Sequence, residues 1–218
     1  MPIGKDDTVV QCDFDGTVTY IDIGVRMLDG FAEGDWLSMI EQYHSGQISV
    51  GRFNTDAFAL VKKDKETLLK MVRKEAEARE GFPRLVDYCK RRGFRLAIVS
   101  NGLDFYIQEF MSCMGLDDIE IHAARTNFTD GGIDTYYEGP DGKVMMQGFK
   151  EAYARLFLDG GSNRLIYIGN GSSDYPAAKL ADYAFVTGPL IEYCQKRKTD
   201  CIPFESMDEI ISRLEELD

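Results

Sequence analysis

The stretch "VVQCDFDGT" (residues 9–17) sets an apolar run directly ahead of two aspartates, Asp13 and Asp15, which share one alternate face of an extended segment. Like unit charges about 4 Å apart repel by about 4 kcal/mol at an effective dielectric near 20. A strand that ends this way opposes its own stability. The pair therefore has to be balanced by something that the rest of the chain supplies or binds.

Three more runs carry an apolar segment into small polar residues: "FRLAIVSN" (94–101), "RLIYIGN" (164–170) and "DYAFVTG" (182–188). Runs apolar on both faces suit strands buried between helices in a parallel sheet. Helical patterns separate them. "GFPRLVDYCKRRG" puts Pro83 at a helix start, Leu85, Val86 and Cys89 on one stripe, and Gly93 at the C-terminal cap. "FKEAYARLFL" carries a stripe of Phe149, Ala152, Tyr153 and Leu156. "SMDEIISRLEEL" opens with a capping box of Ser206 and Glu209 and buries Ile210, Ile211, Leu214 and Leu217. This alternation predicts a doubly wound, Rossmann-like α/β core whose site lies at the carboxyl ends of its strands.

Residues 20–81 hold only helical signals: "IGVRMLDGF", "WLSMIEQYH", "VGRFNTDAFALVK" and "KETLLKMVRKEAEAR". They predict an all-α insertion, with residues 1–19 and 82–218 forming the core and closure hinged around Thr19–Ile21 and Glu80–Pro83. Trp36, Tyr43, Phe53 and Phe58 fall at helical spacings and read as the insertion's own core, with one or two left to line a pocket. "RTNFTDGGIDTYYE" alternates around Asp130-Gly131-Gly132, the signature of a small β-hairpin.

The balance of Lys+Arg 25 against Asp+Glu 37 gives a net charge of −12, and no stretch gathers Lys and Arg on an aromatic-studded face. Nucleic acid and anionic membranes are therefore not expected as partners. No apolar run approaches the ~20 residues needed to cross a bilayer, and the start lacks a signal-peptide pattern, so a cytoplasmic protein is expected, monomeric or homodimeric. Five cysteines with no C-x-x-C read as reduced packing residues, and two histidines leave little for a zinc site.

Four segments converge on the predicted site edge: Asp13 and Asp15, then Ser100 with Asn101, then Lys150, then "GNGSSD" (169–174). Singly, each has a plain reading. D-x-D or Ser100 can cap a helix, Lys150 can be a solvated charge, and Asp22 can cap "IGVRML". Neither a full G-x-G-x-x-G nor a G-x-x-x-x-G-K is present, so a nucleotide cradle is not supported.

The order D-x-D-G-T, S-N-G, Lys, G-x-G-x-S-D resembles the haloacid dehalogenase-like (HAD) hydrolase superfamily over nearly the whole chain. The helical insertion is similar to the cap of its phosphoserine-phosphatase-like branch. Closer still, "CDFDGTVTYID" and "IGNGSSDYPAAKLADYAFVTGPLIEYC" resemble the enol-phosphate phosphatases of methionine salvage.

The resemblance implies a phosphatase of small phosphorylated metabolites, with phosphoserine or another amino-alcohol phosphate as the rival substrate. It makes Asp13 the nucleophile and Asp15 the acid/base. Ser100, the backbone N–H of Asn101 and Lys150 would grip the phosphoryl group, with Thr17, Asp22 and Gly102 also on the substrate side. Mg²⁺ is the implied cofactor, held by Asp13, Asp15 through its carbonyl, Asn170 and Asp174. Attack by a carboxylate splits hydrolysis into two easier displacements, and a residue two positions on can protonate the leaving oxygen and then activate water. One position departs from the pattern: Asn170 stands where an Asp is usual. The anionic metal set is thereby weakened, and a non-catalytic phosphate-binding protein becomes an alternative. Arg52 would meet a substrate anion if it faced the cleft.

Overall fold

The computed structural model describes residues 8–159 and 164–217; residues 1–7, 160–163 and 218 of the expected core lie outside them. An eight-stranded sheet runs in the order β5-β4-β3-β2-β1-β6-β7-β8. Its parallel part comprises β1 (Thr8–Cys12), β2 (Arg95–Leu103), β3 (Glu120–Thr129), β6 (Arg164–Gly169), β7 (Tyr183–Val186) and β8 (Ile202–Pro203). Strand β1 is buried at every residue and pairs with β2 on one side and β6 on the other. Strand order reverses at that point, so the loops leaving β1 and β6 diverge and open a crevice at their carboxyl ends.

Local signals explain the flanking helices. Helix α5 (Phe82–Arg92) starts with Pro at its first turn and stops at Gly93, whose φ of 70° is the left-handed conformation that side chains resist. Helix α10 (Met207–Glu216) is capped by Ser206, whose hydroxyl accepts from Glu209 N. Helix α7 (Phe149–Asp159) buries Phe149, Lys150, Tyr153, Ala154 and Phe157. The expected stripe there ran through Leu156, which is 41% exposed; the face turns so that Lys150 points inward, and Phe157 follows at i+7.

Four helices lie between β1 and α5: α1 (Ile23–Phe31), α2 (Trp36–His44), α3 (Val50–Phe58) and α4 (Lys65–Glu75). Asp22, Asp35, Ser49 and Asp64 each cap one of them, the side chain accepting a backbone N–H three residues on. The two connecting segments run side by side. Thr19 pairs with Ala78, Tyr20 N donates to Glu77 O, and Arg79 N donates to Val18 O at 2.6 Å.

The hairpin forms as its alternation predicts, β3 pairing antiparallel with β4 (Gly132–Glu138) across the two-residue turn Asp130–Gly131. It does more than the pattern foretells, because the first half of β3 also extends the parallel sheet beside β2. A two-residue edge strand, β5 (Val144–Met145), follows. The hairpin supports α3: Gly51 N donates to Met146 O, Thr55 Oγ1 donates to Thr135 O, and a Cβ at Gly132 would strike Ala59 O at 2.1 Å.

Candidate active site

Strand β1 delivers Asp13 and Asp15 to the crevice, and the turn after it reverses at Gly16, φ 72°. A Cβ at Gly16 would overlap the Asn170 amide at 2.1 Å, so the turn lets the loop after β6 lie directly against the aspartate pair. The turn is held from outside by a residue the sequence pattern did not single out. Arg79, 9% exposed, donates to the carbonyls of Gly16, Thr17 and Glu205 at 2.7–2.9 Å. No motif marks it, because its partners are main-chain carbonyls.

Lys150 is the charge that balances Asp13. Its Nζ lies 2.7 Å from Asp13 Oδ1 and 2.6 Å from Asp174 Oδ1, with all three side chains at most 5% exposed. Burial alone would depress the ammonium, yet Asp13 and Asp174 outweigh it and hold Lys150 well above the ordinary lysine range. Asp13 is pushed up to about 7 by burial and by Asp174, with Lys150 opposing. The helix position of Lys150 is itself anchored, since buried Gln11 donates to its carbonyl at 2.9 Å.

Asp174 plays a different part from the one the resemblance implied. Its Oδ1 takes Lys150 Nζ and Tyr167 OH, and its Oδ2 takes the backbone N–H groups of Asn170 and Gly171. Four donors occupy its two oxygens and it is fully buried. In this geometry it orients Lys150 and the loop after β6; its side chain does not stand open as a metal ligand.

Asp15 is held by partners other than Lys150. Its Oδ1 accepts Ile23 N at 2.8 Å, the first N–H of α1, and its Oδ2 accepts Tyr106 OH at 2.6 Å. Burial, reinforced by Asp22, raises its carboxyl well above the usual range, while the tyrosine bond works the other way. Tyr106 lies on α6 (Asp104–Cys113), a helix the sequence patterns left unassigned. Gly102 makes the contact possible, because a Cβ there would sit 2.2 Å from Tyr106 OH and 2.4 Å from Asp15 Oδ2.

Ser100 is buried and its hydroxyl accepts Gly102 N at 2.9 Å, which leaves its own proton to donate elsewhere. Pairing of β2 with β3 shifts register between Val99 and Leu103, so this segment bulges out of the ladder. Thr17 differs from its expected substrate contact. It is fully buried beneath the turn with its hydroxyl unpartnered among the described residues, and its carbonyl belongs to Arg79. Arg52 is likewise turned away, 61% exposed and paired with Asp56.

Two cavities meet at this edge. A cleft of about 310 Å³ is walled by Lys150, Ser172, Ser173, Gly148, Ser49 and Tyr193 among others. A smaller one, about 80 Å³, lies against Asp15, Asp22 and Tyr106 and is otherwise lined mainly by Val25, Leu28, Phe53 and Phe58. Tyr43, Val50 and Asn101 belong to both walls. Thus Tyr43, Phe53 and Phe58 face the cavity, whereas Trp36 is packed as core. Asp22 joins the wall while also capping α1.

The haloacid dehalogenase-like hydrolase family profile matches residues 10–179, a span that holds all four converging segments. The chain belongs to the haloacid dehalogenase-like hydrolase family. Among curated proteins, it is 27% identical over 213 residues to the 2-hydroxy-3-keto-5-methylthiopentenyl-1-phosphate phosphatase of Brevibacillus brevis, covering 96% of each chain. It is 29% identical to the protein of that name from Bacillus velezensis, covering 96% of this chain and 90% of that one. Among solved structures, a substrate-bound phosphoserine phosphatase superposes with a TM-score of 0.70 at 20% identity, covering 97% of this chain and 99% of that one. A phospho-aspartyl intermediate analogue of phosphoserine phosphatase gives 0.68 at 21%, covering 96% and 99%. These likenesses show the HAD fold, a Rossmann-like core with inserted helices.

The oxygens that the resemblance assigns to a cation, those of the Asp13 carboxylate, the Asp15 carbonyl and the Asn170 amide, suit a hard ion; the amide lies against the turn with its Nδ2 towards Gly16. No group of three His, Cys, Asp or Glu side chains poised for a metal exists among the described residues, so the set offers few charges and no soft ligand. That composition fits Mg²⁺, which takes oxygen ligands and keeps several waters, and does not fit zinc.

Proposed function

We propose that this hydrolase is a magnesium-dependent phosphatase that cleaves a small phosphomonoester through a phosphoaspartate on Asp13, and that the alcohol released is compact and uncharged. The pairing of Asp13 with a buried lysine at 2.7 Å carries the reading, because it puts a fixed cation where an anionic ester must approach an anionic nucleophile. Magnesium, held by Asp13, the Asp15 carbonyl and Asn170, would supply further positive charge against the phosphoryl oxygens.

The residues divide the work. Lys150 Nζ, the Ser100 hydroxyl and the Asn101 N–H receive the phosphoryl oxygens, whose charge is spread in the transition state. Asp13 attacks phosphorus. Asp15, at the mouth of the smaller cavity, protonates the departing oxygen and later takes a proton from the water that hydrolyses the phosphoaspartate. Its raised carboxyl favours the protonated form needed first. Four helices inserted between β1 and α5 act in this reading as a cap that covers residues 20–81 of the chain and keeps bulk water from the intermediate.

The cavity beside Asp15 favours the substrate class named for the curated relatives over phosphoserine. An amino acid head group needs a cation for its carboxylate, and no Lys or Arg lines this cavity among the described residues. Phosphate release should be measured for compact enol and alkyl phosphates, phosphoserine and an aryl phosphate, with and without chelator. Activity on uncharged esters, abolished by chelator and by Asp13→Asn, is the expected result. Hydrolysis of phosphoserine alone overturns the substrate class, and phosphate binding without turnover on any ester overturns the enzyme.

A further inference from the structure

We infer that Asn54 and Tyr137 are positioning residues, which aim the Ser100 hydroxyl at the phosphoryl group through the one peptide that joins Asn101 to Gly102. The inference rests on the phosphatase reading, in which Ser100 grips a phosphoryl oxygen, and adds two residues to which nothing above gives a part in the reaction.

This segment needs support from outside because it leaves the sheet. Among the described residues, neither β1 nor β3 pairs with residues 100–102, so the Asn101 carbonyl has no ladder donor. Two side chains take the ladder's place. The carbonyl accepts Asn54 Nδ2 at 2.7 Å and Tyr137 OH at 2.5 Å, which fills both its lone pairs, and Asn54 also donates to the tyrosine oxygen. Asn54 comes from α3 and Tyr137 from β4, and both are buried. Burial raises the Tyr137 hydroxyl well above its ordinary value, so it stays protonated and able to donate.

The other end of the same peptide meets the chemistry. Gly102 N donates to Ser100 Oγ at 2.9 Å. A peptide is a rigid plane, so a carbonyl pinned by two donors fixes the direction of the N–H across from it. That N–H in turn occupies one lone pair of the Ser100 hydroxyl and leaves its single proton for an acceptor outside the loop. One donor would satisfy a buried carbonyl; two, from separate elements, also fix its orientation. Bonds linked head to tail polarise one another, which strengthens the serine proton as a donor to an anionic oxygen. Asn54 and Tyr137 thus stand two bonds behind the phosphoryl group without touching it.

The test measures the affinity for inorganic phosphate, by calorimetric titration in Mg²⁺, and kcat/KM on an aryl phosphate. It compares the wild type, Tyr137→Phe and Asn54→Leu, each with Ser100 intact and with Ser100→Ala. Tyr137→Phe keeps the ring against Phe149, centroids 5.1 Å apart, and loses only the hydroxyl. With Ser100 intact, each variant is expected to weaken phosphate binding and to lower kcat/KM by at least about fivefold. With Ser100→Ala the further change should stay within about twofold, because groups that act through one hydroxyl do not add. Phosphate affinity reads this cycle even where Ser100→Ala leaves no turnover. Thermal melting checks folding, and Asn54→Leu repeats the test from the second donor should Tyr137→Phe not fold. Equal losses in the two backgrounds assign the pair to structure alone and overturn the inference. So does a lowered melting temperature with affinity and rate unchanged, or a Ser100→Ala variant that matches the wild type in both readouts. Failure of the wild type to hydrolyse the aryl ester is a different outcome, which removes the phosphatase reading and this inference with it.

Discussion

Tyr106 reaches Asp15 through the space above Gly102: its hydroxyl donates to Asp15 Oδ2 at 2.6 Å, where a Cβ at residue 102 would intrude. The other oxygen of Asp15 is taken by Ile23 N. The carboxylate is therefore oriented by two donors from elements that no local pattern connects, one of them 91 residues away.

Tyr106→Phe removes a bond to the ionised form of Asp15, so the Asp15 carboxyl rises further. A hydrogen bond to a charged group is worth about 1.5–3 kcal/mol, or ~10–100-fold. We expect kcat to fall by about that factor and the limb of the pH–rate profile that belongs to Asp15 to move to higher pH. Loss of rate with an unmoved profile would assign Tyr106 to packing only.

Asp13→Asn should abolish turnover, and in the metal-free protein its stability relative to the wild type should rise with pH. The sign follows from the carboxyl standing at about 7 in the fold against 3.8 for a free carboxyl. Wild-type stability is greatest below the lower value and is lost as pH rises through the upper one. Melting in chelator should show the variant gaining on the wild type by at least about 2 °C between pH 4 and pH 8.

Lys150→Met strips Asp13 and Asp174 of the ammonium they share. Breaking one side of a buried ion pair costs about 3–5 kcal/mol. Chemical denaturation at pH 8 should show a loss of that size, smaller at pH 4 where Asp13 takes up a proton. A neutral substitution at pH 8 would mean that the three groups do not interact as described.

Asn170→Asp adds an anionic oxygen beside Gly16, where the amide now lies. Cation affinity grows with the charge of the ligand set. Calorimetric titration of the variant should show Mg²⁺ bound about tenfold more tightly than by the wild type. Equal or weaker binding removes Asn170 from the ligand set.

Glu120 accepts from Arg95 and His122, which outweigh the effect of burial and hold its carboxyl down to about 2. A lowered carboxyl gives stability above its unfolded pKa, near 4.5, that is lost as pH falls towards 2. The melting difference between wild type and Glu120→Gln should be present at pH 6 and shrink steadily between pH 4.5 and 2.5.

Much of this architecture is legible in the chain, because strands that end in charge and helices bounded by Asp, Ser, Pro and Gly announce themselves locally. The four inserted helices begin where "IGVRMLDGF", "WLSMIEQYH", "VGRFNTDAFALVK" and "KETLLKMVRKEAEAR" indicate. Strand β3 escapes this reading since "EIHAARTNFT" serves a parallel neighbour with one half and an antiparallel one with the other, which breaks any single periodicity. Arg79, Tyr106 and Asn54 escape for another reason. Each acts on a group 47 to 126 residues distant, and their neighbours in sequence carry no trace of it. Asp174 was visible as a site residue, while its engagement by four donors was not.

The bond from Ile23 N to Asp15 has a mechanical meaning. The first peptide of α1 is at once the root of the helical insertion and a support of Asp15, the proton donor of the proposed reading. In the proposed reading, a tilt of that root would lengthen the bond and let the carboxylate swing off its line to the ester. Chemistry would thereby be interlocked with posture: Asp15 would be aimed only while the root of the helical insertion is seated, so a half-open molecule with its ester in place would not fire.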